Sequence, residues 1–323
     1  MDRTHTHYGR NELRIAQLFT AVIVVVGLLA VACGSSPAPN SPASAPAEVA
    51  GFPVTLDSAA GRVEIATEPE RIVSLSPTAT EMLFAIDAGG QVVAVDDQSD
   101  YPQEVPTTEL SGYEPNVEAI ASYEPDLIVM DAAPPALQRS FRKLEIPLLL
   151  QPAPTDISGT YEQLEELGVA TGRVEEAEVL VSEMRAEIDE LIAALPTLDE
   201  PPTYYHELDD TYFTVTSETF IGEIYSLVGL ENIADEAKGA GSGYPQLSPE
   251  YIIESDPDLI FLADTECCGQ SAETVAERAG WDRIAAVHNG HVVELSDDVA
   301  SRWGPRVVDL LRNVADAVAA LEG

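Results

Sequence analysis

Basic residues are scarce: 16 Lys and Arg stand against 56 Asp and Glu, and Lys143 and Lys238 are the only lysines. Such a chain cannot neutralise a run of phosphates, which excludes nucleic acid as a partner and argues against an anionic membrane surface. The acidity reads as a solvated surface suited to a salty habitat, where long-range steering of cations is screened. Cysteine is limited to Cys33, Cys267 and Cys268, and no second Cys or His cluster follows the pair at zinc-ligand spacing. The longest apolar run, residues 18–31, falls short of the roughly 20 residues that a membrane span requires. There is no P-loop, no GxSxG elbow and no HExxH, and the glycines at 239, 241 and 243 lack the last glycine of a dinucleotide fingerprint. His206, His288 and His291 are the only histidines beyond residue 7; the last two flank Asn289-Gly290, which reads as a surface hairpin turn. Cys267 has no histidine near it in sequence to serve as a base.

What is present begins with a leader. Arg3, Arg10 and Arg14 precede the apolar run, which is broken only by Thr20 and Gly27 and ends in the small residues Ala30-Val31-Ala32 before Cys33. Charge, apolar core and small-residue exit make a secretory signal over residues 1–32. The exit resembles a bacterial lipobox, with Ala30 where Leu is commoner, and this implies lipidation of Cys33. Residues 33–51 are rich in Pro, Ala and Ser and form a flexible tether. Outside the cell Cys267 and Cys268 meet oxidant, yet neighbouring Cα atoms lie about 3.8 Å apart, short for a disulfide; a strained vicinal disulfide and two solvent-facing thiols both stay open.

The folded part carries an internal repeat. EAIASYEPDLIVM at 118–130 and EYIIESDPDLIFL at 250–262 align at a constant offset, Glu118 on Glu250, Ile120 on Ile252, Pro125 on Pro257 and Asp126 on Asp258. Each copy reads as a short helix, a Pro-Asp turn and an apolar strand covered on both faces, as in a parallel sheet. One repetition at domain-size spacing predicts two similar lobes. A hairpin around Gly61 is expected first, then strands at 71–75, 92–95, 127–130 and 147–150 with helices between them. The helix after Ser76 shows Thr78 and Glu81 at capping-box spacing. Residues 173–195 contain no Gly or Pro, and Ala177, Val181, Met184, Ile188, Leu191 and Leu195 recur at threes and fours, predicting one long helix. Strand and helix then alternate to a last amphipathic helix at 305–321. The expected fold class is therefore α/β, two lobes with mostly parallel sheets joined by a single long helix. The N-terminal lobe spans 52–172, the linking helix 173–196 and the C-terminal lobe 197–323.

RIVSLSPTATEMLFAIDAGGQVVAVDDQSDYP, the PNVEAIASYEPDLIVM copy, FIGEIYSLVGLENIAD and the tail SRWGPRVVDLL together resemble the helix-linked class of periplasmic binding proteins, the substrate-binding components of ABC importers for vitamin B12, haem and ferric siderophores. The resemblance runs from about residue 53 to the end and implies a ligand cleft between two lobes. It also implies that Glu118 and Glu250 dock onto arginines of an ABC permease dimer, which works with its ATPase subunits; the plainer account is two helix-start carboxylates favoured by the helix dipole. Ligands of open α/β sheets bind beyond the carboxyl ends of the strands, which directs attention to Gln98, Tyr113, Tyr244, Cys267, Cys268, Asp298, Arg302 and Trp303. Tyr113 and Tyr244 occupy repeat-related places and would wall a flat ligand, Gln98 stands where the vitamin B12 binder carries a tyrosine, and Arg302 with Arg306 would hold an anion or pair with acidic neighbours. The expectation is a lipid-anchored, monomeric binding protein with no catalysis, no metal site and no cofactor of its own, carrying a metal chelate, a corrinoid ahead of a ferric siderophore or haem. A secreted hydrolase or metalloenzyme and an anchored ligand sensor are the competing classes.

Overall fold

The computed structural model describes residues 51–198 and 200–321; the leader, Cys33 and the tether up to residue 50 lie outside them. The first strands, β1 (Val54–Ser58) and β2 (Gly61–Ile65), pair antiparallel with Ser58 opposite Gly61, whose φ of 98° suits glycine at the turn. The Ser58 hydroxyl ties this hairpin to Leu150 through its backbone N–H at 2.8 Å.

The N-terminal half then runs β3 (Ile72–Leu75), α1 (Pro77–Ala85), β4 (Val92–Val95), α2 (Val117–Ala121), β5 (Leu127–Met130), α3 (Pro135–Lys143) and β6 (Leu148–Leu150). Its sheet is parallel with the order β4-β3-β5-β6. All residues of β3 and β5 are buried, as a sheet covered on both faces demands. Two long helices follow, α4 (Ile157–Thr171) and α5 (Val174–Ala193), joined at Gly172 in the left-handed conformation with φ 74°. α5 is the expected linking helix, and it buries Ala177, Val181, Met184 and Ile188 along one face.

The C-terminal half comprises β7 (Thr203–Glu207), α6 (Phe220–Leu227), β8 (Glu231–Asn232), α7 (Pro249–Ser255), β9 (Leu259–Leu262), α8 (Ala272–Ala276), α9 (Ala285–Asn289), β10 (Val292–Glu294), α10 (Asp297–Ser301) and α11 (Val307–Ala320). Its sheet is also parallel, in the order β8-β7-β9-β10, so the two halves are topological copies. The core runs continuously through α1, α4, α5, α6 and α11, with a separate apolar cluster against the far face of each sheet.

The repeat has a structural cause. In one half the Asp126 carboxylate accepts the backbone N–H groups of Glu70 and Arg71 at 2.8 and 3.0 Å, and β5 pairs with β3 at Leu127 opposite Ile72. In the other the Asp258 carboxylate accepts the N–H of Thr203 at 2.8 Å, and β9 pairs with β7 at Leu259 opposite Tyr204. The Pro-Asp turn thus ties the start of the central strand to its neighbour twice over.

Two local expectations are corrected. Helix α1 is capped by Ser76, whose side chain accepts from Ala79 N, and not by a Thr78–Glu81 box; Glu81 is needed elsewhere. The Asn289-Gly290 pair ends a helix and does not turn a hairpin: Gly290, at φ 78°, closes α9 before β10. A left-handed glycine serves both turns equally, so the dipeptide alone cannot distinguish them.

Candidate functional site

The carboxyl ends of β3, β4 and β5 open onto a cavity of about 570 Å³, within the range of small-molecule sites. Leu75, Pro77, Pro115, Val117, Pro134 and Leu137 supply apolar walls, and Asp96, Gln98, Tyr113, Asp131 and Ser140 are the polar lining. Tyr113 is 87% exposed at this rim, a conspicuous position for a large ring that gains by burial.

Asp96 directly follows β4 and is only 2% exposed. Its Oδ1 accepts the Gln98 N–H at 2.8 Å, while Oδ2 is buried without a partner. Burial raises its carboxyl pKa, and hydrogen bonds from Gln98 and Ser99 oppose the rise. Gly112 lies against it: a Cβ there would sit 2.9 Å from the Leu75 carbonyl oxygen and 3.4 Å from Asp96 Oδ2, so any other residue would crowd this wall. Asp96, Gly112 and Asp131 were not among the expected site residues, although the strand-end rule that selects Gln98 applies equally to Asp96 and Asp131.

The expected contacts in the C-terminal half fall outside this cavity. Tyr244 is half-exposed on a loop. Cys267 and Cys268 are free and exposed, and the Asp297 carboxylate accepts the Cys267 N–H at 2.7 Å. The Cys268 side chain, burial and Asp297 together push the Cys267 thiol up to about 12. Trp303 turns onto α4, its Nε1–H donating to Gln163 Oε1 at 2.9 Å and its carbonyl accepting from Thr160.

Arg302 and Arg306 are engaged within the chain. Arg302 donates to Glu81 at 2.8 Å, to Asp100 at 3.4 Å and to the Gln98 carbonyl at 3.1 Å, and forms an ion pair with Asp298 at 2.5 Å. Arg306 reaches both oxygens of Glu81, at 2.9 and 2.5 Å, and covers the ring of Tyr101. Glu81, 3% exposed on α1, therefore holds two guanidinium groups from the segment between α10 and α11. Of the two roles foreseen for these arginines, pairing with acidic neighbours is the one the geometry displays.

Glu118 and Glu250 are exposed and occupy the same place in the first turns of α2 and α7, behind the capping residues Asn116 and Ser248. His206 lies buried in β7 with Nδ1 2.8 Å from Tyr225 Oη. Among the described residues no group of three or more His, Cys, Asp or Glu is placed to hold a metal ion, and no helix is long and apolar enough to cross a membrane.

Residues 72–299 match the family model for periplasmic binding proteins. An ABC transporter substrate-binding lipoprotein of Bacillus subtilis, YvrC, is 29% identical over 92% of this chain and 95% of its own length. A cobalamin-binding protein of Halobacterium salinarum is 31% identical over 92% of this chain and 83% of its own. Among solved structures, the periplasmic vitamin B12 binding protein BtuF of Vibrio cholerae superposes with a TM-score of 0.64 at 25% identity, covering 79% of this chain and 98% of that one. Two parallel sheets of matching order, the long helix α5 between them, a cavity at the strand ends and a family match across both halves lead to one conclusion: the chain belongs to the periplasmic binding protein family.

Proposed function

We propose that this chain is the substrate-binding component of an ABC importer, anchored outside the cell by a lipid on Cys33, and that its cargo is a corrinoid-like metal chelate. The observation that carries the cargo reading is Tyr113, an almost fully exposed ring on the wall of the strand-end cavity. A flat chelate laid on it would gain apolar burial and leave the phenol tip in water. The cobalamin-binding relative and the vitamin B12-binding neighbour support the same cargo. Haem or a ferric siderophore is the second choice, and the engagement of Arg302 and Arg306 by carboxylates weakens the anion contact on which that choice leans. The work is capture and release, without turnover.

Docking falls to Glu118 and Glu250. Two exposed carboxylates, each in the first turn of a repeat-related helix, suit a two-fold symmetric partner that presents arginines. The test joins binding to transport. Fluorescence titration of the chain with cobalamin, haem and ferric siderophores, at low and high salt, should show saturable binding of cobalamin. Saturation by a siderophore or haem alone would move the cargo to that class. The double variant Glu118→Arg/Glu250→Arg should bind cargo as before and fail in import; import that survives, or affinity that collapses, defeats the docking role.

A further inference from the structure

We infer that Asp96 and Asp131 make the N-terminal half of the site selective for a chelate whose edge presents N–H donors, primary amides first, and selective against one edged with free carboxylates. The inference rests on the reading that the strand-end cavity receives the cargo. The cavity lining contains two carboxylates and no Lys, Arg or His. Arg302, which reaches the cavity edge at the Gln98 carbonyl, is held by Glu81, Asp298 and Asp100, and Arg306, in a separate hollow beside Tyr101, is held by Glu81. An anionic edge entering here would meet like charge without a free cation to answer it, and like-charge juxtaposition is a strong means of rejection.

Asp96 adds attraction to this exclusion. Its Oδ2 is a buried acceptor without a donor, beside the one position in the wall, Gly112, that carries no side chain. Buried polar atoms are almost always paired, and a ligand N–H that reaches Oδ2 past the Gly112 backbone would complete the set. Asp131, at the carboxyl end of β5, is half-buried, and its Oδ1 accepts only the N–H of the next residue, Ala132, at 2.7 Å.

The opposing influence is the helix starts. α1, α2 and α3 all begin at this cavity, and each helix start carries about half a positive charge that favours anions. Those first turns are largely answered within the chain. Ser76 accepts from Ala79 N, Asn116 accepts from the N–H groups of Glu118 and Ala119, and α3 opens on Pro135, which has no N–H to offer. What remains is opposed by the two carboxylates of the lining.

The experiment is calorimetric titration of the full chain in detergent with pairs of probes that differ in peripheral carboxylate charge. The pairs are cobalamin and its monocarboxylate, haem dimethyl ester and haem, and ferrioxamine with a free ammonium and its succinylated form. In whichever pair binds, the carboxylate-free member should bind about tenfold tighter or more. The ratio should shrink to within about twofold in Asp96→Asn/Asp131→Asn. Asp131→Asn alone, at the partly exposed rim, should reduce it in part and guards against misfolding of the double variant. A wild-type ratio near one, or a ratio that the substitutions leave intact, overturns the inference. Cargo class is read separately: the haem or siderophore pair binding with the preference intact would defeat the corrinoid reading and uphold charge selection, whereas cobalamin binding without preference would do the reverse. Silence from every probe would defeat both.

Discussion

Asp264, at the carboxyl end of β9, is fully buried, and neither of its oxygens has a hydrogen-bond partner. Burial first, and then the Glu207 carboxylate, raise its pKa to about 7, against the opposing pull of Arg278. Arg278 is committed to Glu207 by two bonds of 2.6 Å. An unfolded Asp titrates near 3.9, so from about pH 4 to pH 7 the native state holds a proton that the unfolded chain has lost. By linkage, stability falls as pH rises through that window. His206 acts in the opposite direction. Burial lowers its pKa to about 3, so it removes stability as pH falls below about 6.5. Asp264→Asn removes the first effect and leaves the second. The variant should melt above wild type by a margin that widens between about pH 4 and 7 and reaches at least ~2 °C; a margin independent of pH in circular-dichroism melts would refute this. Cys267 offers a second residue-scale test. The side chain of Cys268 is the leading cause of its raised pKa, and the thiolate is the reactive form. Alkylation of Cys267 near pH 7.5, followed by peptide mass mapping, should be slow and should accelerate in Cys268→Ser; an unchanged rate would show that the pair does not restrain the thiol.

Helix α6 illustrates how an element depends on one missing side chain. Thr219 caps it by accepting the Gly222 N–H at 3.1 Å, which draws the helix start back against the preceding loop. A Cβ on Gly222 would lie 2.0 Å from the Thr216 carbonyl oxygen and 2.6 Å from Ser217 Cα, both backbone atoms that cannot swing away. Gly222→Ala should therefore cost about 2 kcal/mol or more despite its better helix propensity; a neutral or stabilising result in urea unfolding would show that the loop can shift. Elements were the most legible level of this chain. The 173–195 periodicity corresponds to α5, and the two apolar runs after Pro-Asp correspond to β5 and β9. Failures arose where one local signal serves two geometries. Gly290 stops a helix although Asn-Gly equally suits a hairpin turn, and Ser76 caps α1 although Thr78 and Glu81 have capping-box spacing.

At the scale of the whole molecule, Glu81 joins the two halves. It lies on α1, and its partners Arg302 and Arg306 stand more than two hundred residues later. Their side chains are almost as buried as its own, 11% and 17% exposed against 2%. Taking one partner from a buried, hydrogen-bonded charge cluster leaves the others uncompensated, at a cost of about 3 kcal/mol or more. Glu81→Gln should lower the urea midpoint accordingly, whereas Arg62→Ala, in the exposed Arg62–Asp57 pair at 3.7 Å, should change it little. Similar losses from both variants would mean that the Glu81 cluster is no stronger than a surface contact. The same cluster occupies Arg302, the cation that reaches the cavity edge at the Gln98 carbonyl.

Properties that depend on neighbours along the chain are therefore open to reading from the residues alone: the acidic character, the parallel α/β halves, the linking helix and the doubled Glu118–Glu250 motif. Each follows from composition or from a period of a few residues, and each survives whatever the rest of the chain does. Which charges stay available is a different kind of property. Arg302 looks as free as Asp96 in sequence, and only folding shows that one is surrounded by carboxylates while the other is buried with an oxygen to spare. Pairing and burial are decided by groups brought together from distant positions, where no local period carries information, and so the character of the site belongs to the packed molecule.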